Sequence, residues 1–486
     1  MDSSSSENNS SNNSKSWHSL STYKERKFDT FNFRLEFIEK ILEGKGLGLE
    51  PLIYQDGVNT EAFINPYSNN DDDNKSKNTE FILNKKIHNF YKIIGQIGGK
   101  LRYVKSGTTG HTFKGIIDTG DNNSINYGLK IAAYPKKEKY GGMHDVERPE
   151  NAELMMIRLL SYFVVKGQTP HITLPISTFN TSIKPFVSLV EDSIVDSDNR
   201  KYQEFVEKYK EDYYHENVSV LISEWANRGD LLEFIRKDKR YKRFQAIDWK
   251  VFFFQIISIL AVIQSKYPSF RHNDMKANNI LVHKIAKRSS EFSYTICRKK
   301  YKVPNIGYLA KIWDFDFACI PGIVNNSKVN ADWTTKINVD PVKNRYYDMH
   351  YFFNTLIKKG FFPEFMTDSH IPKEAKDFVN RIVPNKYKDG KYIAKRGRIL
   401  IGDEYLTPNN VLLYDAYFED FRTDDTSKKE SGSKKVKTKS QKINLPKASN
   451  KDINDLRKEN SKYNKMRKYV KIESSSSESY NDTNTK

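Results

Sequence analysis

Between residues 98 and 133 apolar and polar positions alternate in short runs broken by glycine, first "GGKLRYVKSGTTGHTFKGIIDTG" and then "INYGLKIAAY". Alternation with a period of two sends successive side chains to opposite faces of a strand, and glycine lets the chain reverse. The pattern predicts two strands joined by a glycine turn, a loop and a third strand. The period then changes. In "ERPENAELMMIRLLSYFVV", Leu154, Ile157 and Leu160 recur every three residues, which marks one face of a helix. A proline-containing turn, "QTPHITLPI", leads to further strand-like segments that end in "VSVLISEW". From Asp230 onward the pattern is helical, beginning with "GDLLEFI" and continuing with "IDWKVFFFQIISILAVIQ", where Asp248 is expected as the N-cap. A strand-rich stretch thus precedes a helix-rich one, with no internal repeat.

The two ends break this patterning. Residues 1–16, "MDSSSSENNSSNNSKS", are almost pure Ser and Asn, and residues 426–486 contain "KKESGSKKVKTKSQK" and finish in "ESSSSESYNDTNTK". Such segments lack the apolar surface needed to offset chain entropy. The expected organisation is a Ser/Asn-rich N-terminus over 1–28 and an N-terminal extension over 29–94. A β-rich lobe over 95–223 and a helical lobe over 224–425 follow, with a basic insertion at 283–309 and a Lys/Ser-rich tail over 426–486. The 486 residues are enough for two lobes with a sizeable core. A net charge of +19 points either to an acidic partner, such as nucleic acid reached through the basic tail, or simply to a solvated tail. Two cysteines, Cys297 and Cys319, exclude a disulfide framework and fit a reducing compartment. The N-terminus carries no apolar signal region. The longest apolar run, "VFFFQIISILAVIQ" at 251–264, reads as too short and too polar for a transmembrane segment, so a soluble intracellular protein is expected.

Chemistry concentrates in a few places. Gly107 and Gly110, in "KSGTTGHTFKG", sit in the first strand–turn–strand, where glycine lets backbone N–H groups approach phosphate oxygens. Lys130 lies inside an apolar strand, which is costly unless it is paired or bound to an anion, and Glu153 on the next helix is a candidate partner. In "FRHNDMKANNILVHK", Asp274 is placed to orient or deprotonate a hydroxyl. Lys276 can neutralise charge on a transferring phosphoryl group, and Asn279 offers an amide oxygen to a hard cation. Asp314, in "AKIWDFDFACI", adds a carboxylate for the same metal. Taken singly, each reads equally well as a turn, a cap or a solvated face. In this order they form a set.

That order resembles the eukaryotic-type protein kinase superfamily over residues 95–423. "RHNDMKANNILV" with "KIWDFDFA" is similar to the serine/threonine kinases of giant DNA viruses such as mimivirus, and more distantly to the poxvirus virion kinase. The resemblance implies an α+β, bilobal protein-kinase-like fold with a small β-rich N-lobe and a larger helical C-lobe. It also implies ATP and Mg²⁺ as cofactors, protein serine or threonine hydroxyls as acceptors, and a place in the host cytoplasm or the virion. Lys130 would contact the α- and β-phosphates and pair with Glu153. Asp274 would be the catalytic base, Lys276 would meet the γ-phosphate, and Asn279 and Asp314 would hold Mg²⁺. Glu224 and Ala226 would offer hinge backbone to adenine beside Ser223, Asp230 would meet ribose, and Leu281 would floor the adenine slot. Asp348, in "YYDMHYFFNTL", would be a buried organising carboxylate, and "TPNNVLLYDAYFEDF" would close the domain.

Four departures stand out. Lys105 replaces the first loop glycine. Asn273 stands where the family has an arginine that reads activation-loop phosphorylation. Asp316 replaces the glycine of Asp-Phe-Gly, and Ala-Pro-Glu is absent, with Pro341 its nearest remnant. Two other readings stay open: a small-molecule kinase of the choline or aminoglycoside type, and a non-catalytic scaffold on a kinase fold.

Overall fold

The computed structural model describes residues 31–43, 46–55, 78–97, 100–107, 109–120, 123–286, 291–329, 331–402 and 404–423. The Ser/Asn-rich start and the Lys/Ser-rich tail lie outside these residues.

The first lobe is built on an antiparallel sheet of five strands: β1 (Lys100–Ser106), β2 (Gly110–Gly120), β3 (Asn123–Pro135), β4 (Pro175–Ser182) and β5 (Tyr214–Glu224). Their order across the sheet is β1-β2-β3-β5-β4. Tyr127, Leu129, Ile131 and Ala133 of β3 alternate into the core, which leaves Lys130 on the opposite face, as a period of two requires. Between β3 and β4 runs helix α3 (Pro149–Val165), after α1 (Phe31–Leu42) of the N-terminal extension and α2 (Phe90–Ile97), which crosses the boundary expected at residue 94. In α2 the buried residues are Phe90, Ile93, Ile94 and Ile97, the i, i+3, i+4, i+7 stripe of an amphipathic helix. Phe37, Ile38 and Ile41 of α1 enter the same core. The extension also covers the open edge of the sheet. His88 N donates to Asn180 O and Asn180 N to Lys86 O, both at 2.8 Å, so β4 is not left as a bare template for pairing.

The second lobe centres on α6 (Ala246–Lys266), preceded by α4 (Arg200–Lys210) in the first lobe and α5 (Leu231–Arg236). Here the structure corrects two expectations. Asp248 is not the N-cap but the third helical residue. Gln245 caps the helix, and the two side chains satisfy each other's backbone N–H groups in a capping box. The helix is also longer than its apolar run and is long and apolar enough to cross a membrane by length and composition alone. From Trp249 to Gln264 every residue except Lys250 is buried, so it is the core helix of this lobe.

Strands β6 (Ile280–Lys284) and β9 (Tyr308–Ile312) pair beneath the cleft. The segment between them contains a hairpin, β7 (Glu291–Ile296) and β8 (Lys299–Pro304). Its two turn residues, Cys297 and Arg298, both have positive φ (47° and 70°), the handedness that matches strand twist. Tyr294 and Tyr301 of the hairpin pack on Phe254 of α6 with ring centroids 5.2 and 5.3 Å away. Helices α7 (Tyr347–Thr355), α8 (Lys373–Ile382) and α9 (Pro408–Tyr414) complete the lobe. The fold is α+β and bilobal.

Candidate active site

The strand that joins the lobes ends at Glu224, and the chain then runs back along β6. Arg228 N donates to Val282 O at 3.0 Å, Val282 N to Gly229 O at 2.9 Å, and Asp230 bridges Leu281. Ala226 is buried and Leu281 half-buried. Asp230 also caps α5, accepting from Glu233 N at 2.9 Å. The Glu224 side chain faces away from this path. Arg34 of α1 grips it through two bonds of 2.6 and 2.7 Å, Lys311 lies 3.1 Å away, and Leu174 N donates to it at 2.9 Å. Burial opposes the charge, but the Arg34 and Lys311 cations outweigh it and hold the carboxyl well below its ordinary value. Burial, reinforced by Arg34, lowers Lys311 to about 8 against the pull of Glu224. What Glu224 can offer a ligand is its backbone.

In the glycine loop, Thr108 lies outside the described residues. Gly107 N donates to Gly110 O at 2.7 Å. Gly110 is sterically required, because a Cβ there would lie 1.8 Å from Ile131 O on the neighbouring strand. Lys105 sits at an irregularity of β1 and is exposed.

Lys130 lies between two carboxylates, 2.6 and 2.9 Å from the Glu153 oxygens and 2.6 Å from Asp314 Oδ1. Burial alone would lower the Lys130 pKa, but Asp314 and Glu153 together raise it. Glu153 is enclosed, and desolvation pushes its carboxyl up. For Asp314 burial is outweighed by Lys130, which holds the carboxyl low. Asp314 has φ +66° and Asn273 φ +61°, left-handed backbone that non-glycine residues adopt at a cost of about 1–3 kcal/mol and that clusters at functional sites.

The loop from Phe270 to Asn279 is organised from below. Buried Asp348, at the start of α7, accepts His272 N at 2.7 Å and Asn273 N at 2.9 Å. His272 Nε2 donates to Trp313 O at 3.0 Å, and Trp313 N donates to Asn279 O at 3.1 Å, so the loop and the Asp314 turn are stitched together. Asp274 Oδ2 accepts from Lys276 Nζ at 2.7 Å and from Asn279 Nδ2 at 3.0 Å. That amide orientation turns Asn279 Oδ1 away from Asp274. An amide oxygen and the Asp314 carboxylate form a hard-oxygen donor pair, which fits Mg²⁺ that shares its remaining positions with phosphate and water.

Four residues to which the sequence pattern gave no role are part of this arrangement. Arg34 and Lys311 secure Glu224. Arg398, 124 residues beyond Asp274, makes an ion pair with its Oδ1. Arg271 is buried and ties the loop to the following segment through Asp340 and the carbonyls of Asn338 and Val342. Asn273 adds a bond to Phe317 O at 3.0 Å. Asp316 forms an ion pair with Lys328 and accepts Asn326 Nδ2 on its carbonyl at 3.0 Å, which fastens the Asp-Phe-Asp turn. Arg345 pairs with Glu404 at 2.7 Å at the end of the segment, where Ala-Pro-Glu is missing.

Comparisons with known proteins place the chain in a family. The family described as poxvirus serine/threonine protein kinase matches residues 140–401. A protein of Acanthamoeba polyphaga mimivirus named a "Putative serine/threonine-protein kinase" is 46% identical over 385 residues, 78% of each chain. Serine/threonine-protein kinase 2 of swinepox virus is 32% identical over 137 residues, 27% of this chain and 28% of that one. A crystal structure of the BubR1 kinase domain overlaps with a TM-score of 0.27 at 14% identity over 48% of each chain, too slight an overlap to bear on the fold. The match over more than half of the chain, together with the long mimivirus alignment, shows that the chain belongs to the poxvirus serine/threonine protein kinase family.

Proposed function

We propose that this chain is an ATP-dependent serine/threonine protein kinase that transfers the γ-phosphoryl group to protein hydroxyls. The observation that carries the reading is the convergence of two clusters on one cleft: Lys130–Glu153–Asp314, and Asp274–Lys276–Asn279. Lys130, held cationic and aimed by Glu153, serves as the phosphate contact. Asp274 orients the acceptor hydroxyl and takes its proton, a role worth about 10²–10⁴ in rate. Lys276, on the same carboxylate, balances charge on the moving phosphoryl group. Asn279 and Asp314 would hold Mg²⁺, which supplies charge neutralisation at the phosphate oxygens. Backbone groups of Glu224 and Ala226 would meet adenine above Leu281, with Asp230 near ribose.

The test is Mg²⁺-dependent transfer of labelled γ-phosphate from ATP, with Asp274→Asn alongside the wild type, offered casein, a basic protein and choline-like small molecules. Labelled phosphoserine or phosphothreonine that disappears in the variant is the expected result. Label on small molecules alone, or a variant that keeps most of its activity, overturns the assignment.

A further inference from the structure

Residues 394–398, Ala-Lys-Arg-Gly-Arg, form a tight turn that reaches the Asp274 loop. Ala394 N donates to Arg398 O at 2.8 Å and Gly397 N to Ala394 O at 2.7 Å, while Ile393 and Ile399 bridge its base. Gly397 has φ +91°, and its carbonyl accepts Asn354 Nδ2 at 2.8 Å, which fixes the turn to α7. The last residue of the turn points into the site. Arg398 is buried, lies 4.4 Å above the Tyr351 ring, and pairs with Asp274. The chain beyond it runs along the end of the 314–345 segment. Asn338 Nδ2 donates to Ile399 O at 2.8 Å and Asn344 Nδ2 to Ile401 O at 3.2 Å.

The tip of the turn is different. Lys395 and Arg396 are exposed, and neither forms an ion pair among the described residues. The tip is tied to Asp274 through the turn itself, since Arg396 lies two residues before Arg398 and the Ala394 N to Arg398 O bond closes the turn behind them. On the segment that the turn adjoins, and in the chain just beyond it, carboxylates are matched: Asp316 by Lys328, Asp340 by Arg271 and Glu404 by Arg345. Asp332 is exposed on the segment, but so are Lys336 and Lys343. Among the described residues, the charges this turn leaves unmatched, Lys395 and Arg396, are positive.

An acceptor hydroxyl must reach Asp274, so the residues flanking it have to pass this turn. We propose that turn 394–398 is a specificity element that selects acceptor segments with a carboxylate or phosphate close to the accepting serine or threonine. Arg398 positions the turn on the base, and Lys395 and Arg396 meet the acidic side chain. Complementary charge of this kind mainly sets which partner is accepted. The inference rests on the protein-kinase reading above and names its substrate class.

The full chain would be given three peptides with one serine each, flanked by Asp/Glu, by Ala or by Lys/Arg, and kcat/KM measured for each. The wild type should favour the acidic peptide over the basic one by about tenfold or more, and added salt should narrow the gap. Lys395→Glu with Arg396→Glu should reverse that order through KM for the peptide, with KM for ATP and the rate on the neutral peptide unchanged. Because both residues are exposed, the variant keeps its fold, and circular dichroism checks this. A wild type that prefers basic or neutral peptides, or a reversed variant with the wild-type ratio, overturns the inference and leaves the kinase reading standing. No phosphorylation of any peptide or protein by the wild type removes both.

Discussion

Replacing Arg34 with methionine would take the cation from a carboxylate that has no water to turn to. The Arg34 and Glu224 side chains are 3% and 8% exposed. Arg34 also donates to Pro170 O at 2.8 Å and to Ile172 O at 2.5 Å. Methionine replaces the apolar stem but none of these bonds. Removing one partner of a buried pair costs about 3–5 kcal/mol, and Lys311, which remains 3.1 Å from Glu224, keeps the loss near the lower end. The two carbonyls that lose their donor add about 1 kcal/mol, so about 4 kcal/mol is expected. Glu224→Gln alone should also be costly, because it leaves Arg34 enclosed beside Lys311. The double variant removes both charges, and its cost should fall short of the sum by at least about 2 kcal/mol. Urea unfolding followed by tryptophan fluorescence, with Trp225 next to Glu224, reads this cycle directly. The same variants should raise KM for ATP, since Glu224 starts the segment between the lobes. Strictly additive costs, or a loss below about 1 kcal/mol for Arg34→Met, would refute the view that α1 is a working part of the hinge.

The remaining predictions concern Asp274, the segment after Asp314 and pH. Arg398→Met should lower kcat by about 10²-fold with KM for ATP unchanged, as expected when a reacting group is misplaced, and Arg398→Lys should recover part of the loss. Equal losses in both variants would contradict a positioning role. Because Arg271 and Asn273 already hold the segment after Asp314 through Asp340 and Phe317, phosphatase treatment should leave activity intact, and an enzyme silenced by it would contradict this. His171 is fully buried, donates from Nδ1 to Ala310 O at 2.8 Å and accepts the Tyr294 hydroxyl on Nε2 at 2.9 Å, a pattern only the neutral ring can make. Burial lowers its pKa from 6.5 to about 3 and that of His350 to about 4. A base whose folded pKa is depressed contributes full stability above its unfolded value and loses it as pH falls toward the folded one. Unfolding free energy should therefore drop below pH 6.5 by about 1.4 kcal/mol per pH unit for each histidine. His171→Gln should remove one such increment from the slope, and an unchanged slope would dispose of the argument.

Much of this arrangement was legible in the chain because it is local. His272 to Asn279 spans eight residues, so their spacing alone places a carboxylate, a cation and an amide on one loop. Lys130 in an apolar strand announced that it needed a carboxylate, and it meets two, Glu153 on the next helix and Asp314 from the far lobe. Asp248 was misread by three positions because acidic residues suit both the cap and the first turn of a helix. Glu224 reads from the chain only as hinge backbone, and nothing in its neighbourhood along the sequence announces the cations that hold its side chain. Arg34 is 190 residues away from it and Lys311 is 87 residues away. Arg398 is 124 residues from Asp274, in a stretch whose pattern reads as an ordinary basic loop. The sequence by itself determined the strands of the glycine-rich stretch, helices α3, α5 and α6 and the short polar clusters, since periodicity and spacing act between near neighbours along the chain. Which cations enclose Glu224 and Asp274 was decided by the tertiary structure, because an ion pair depends on distance in space and burial, and neither follows from separation along the chain.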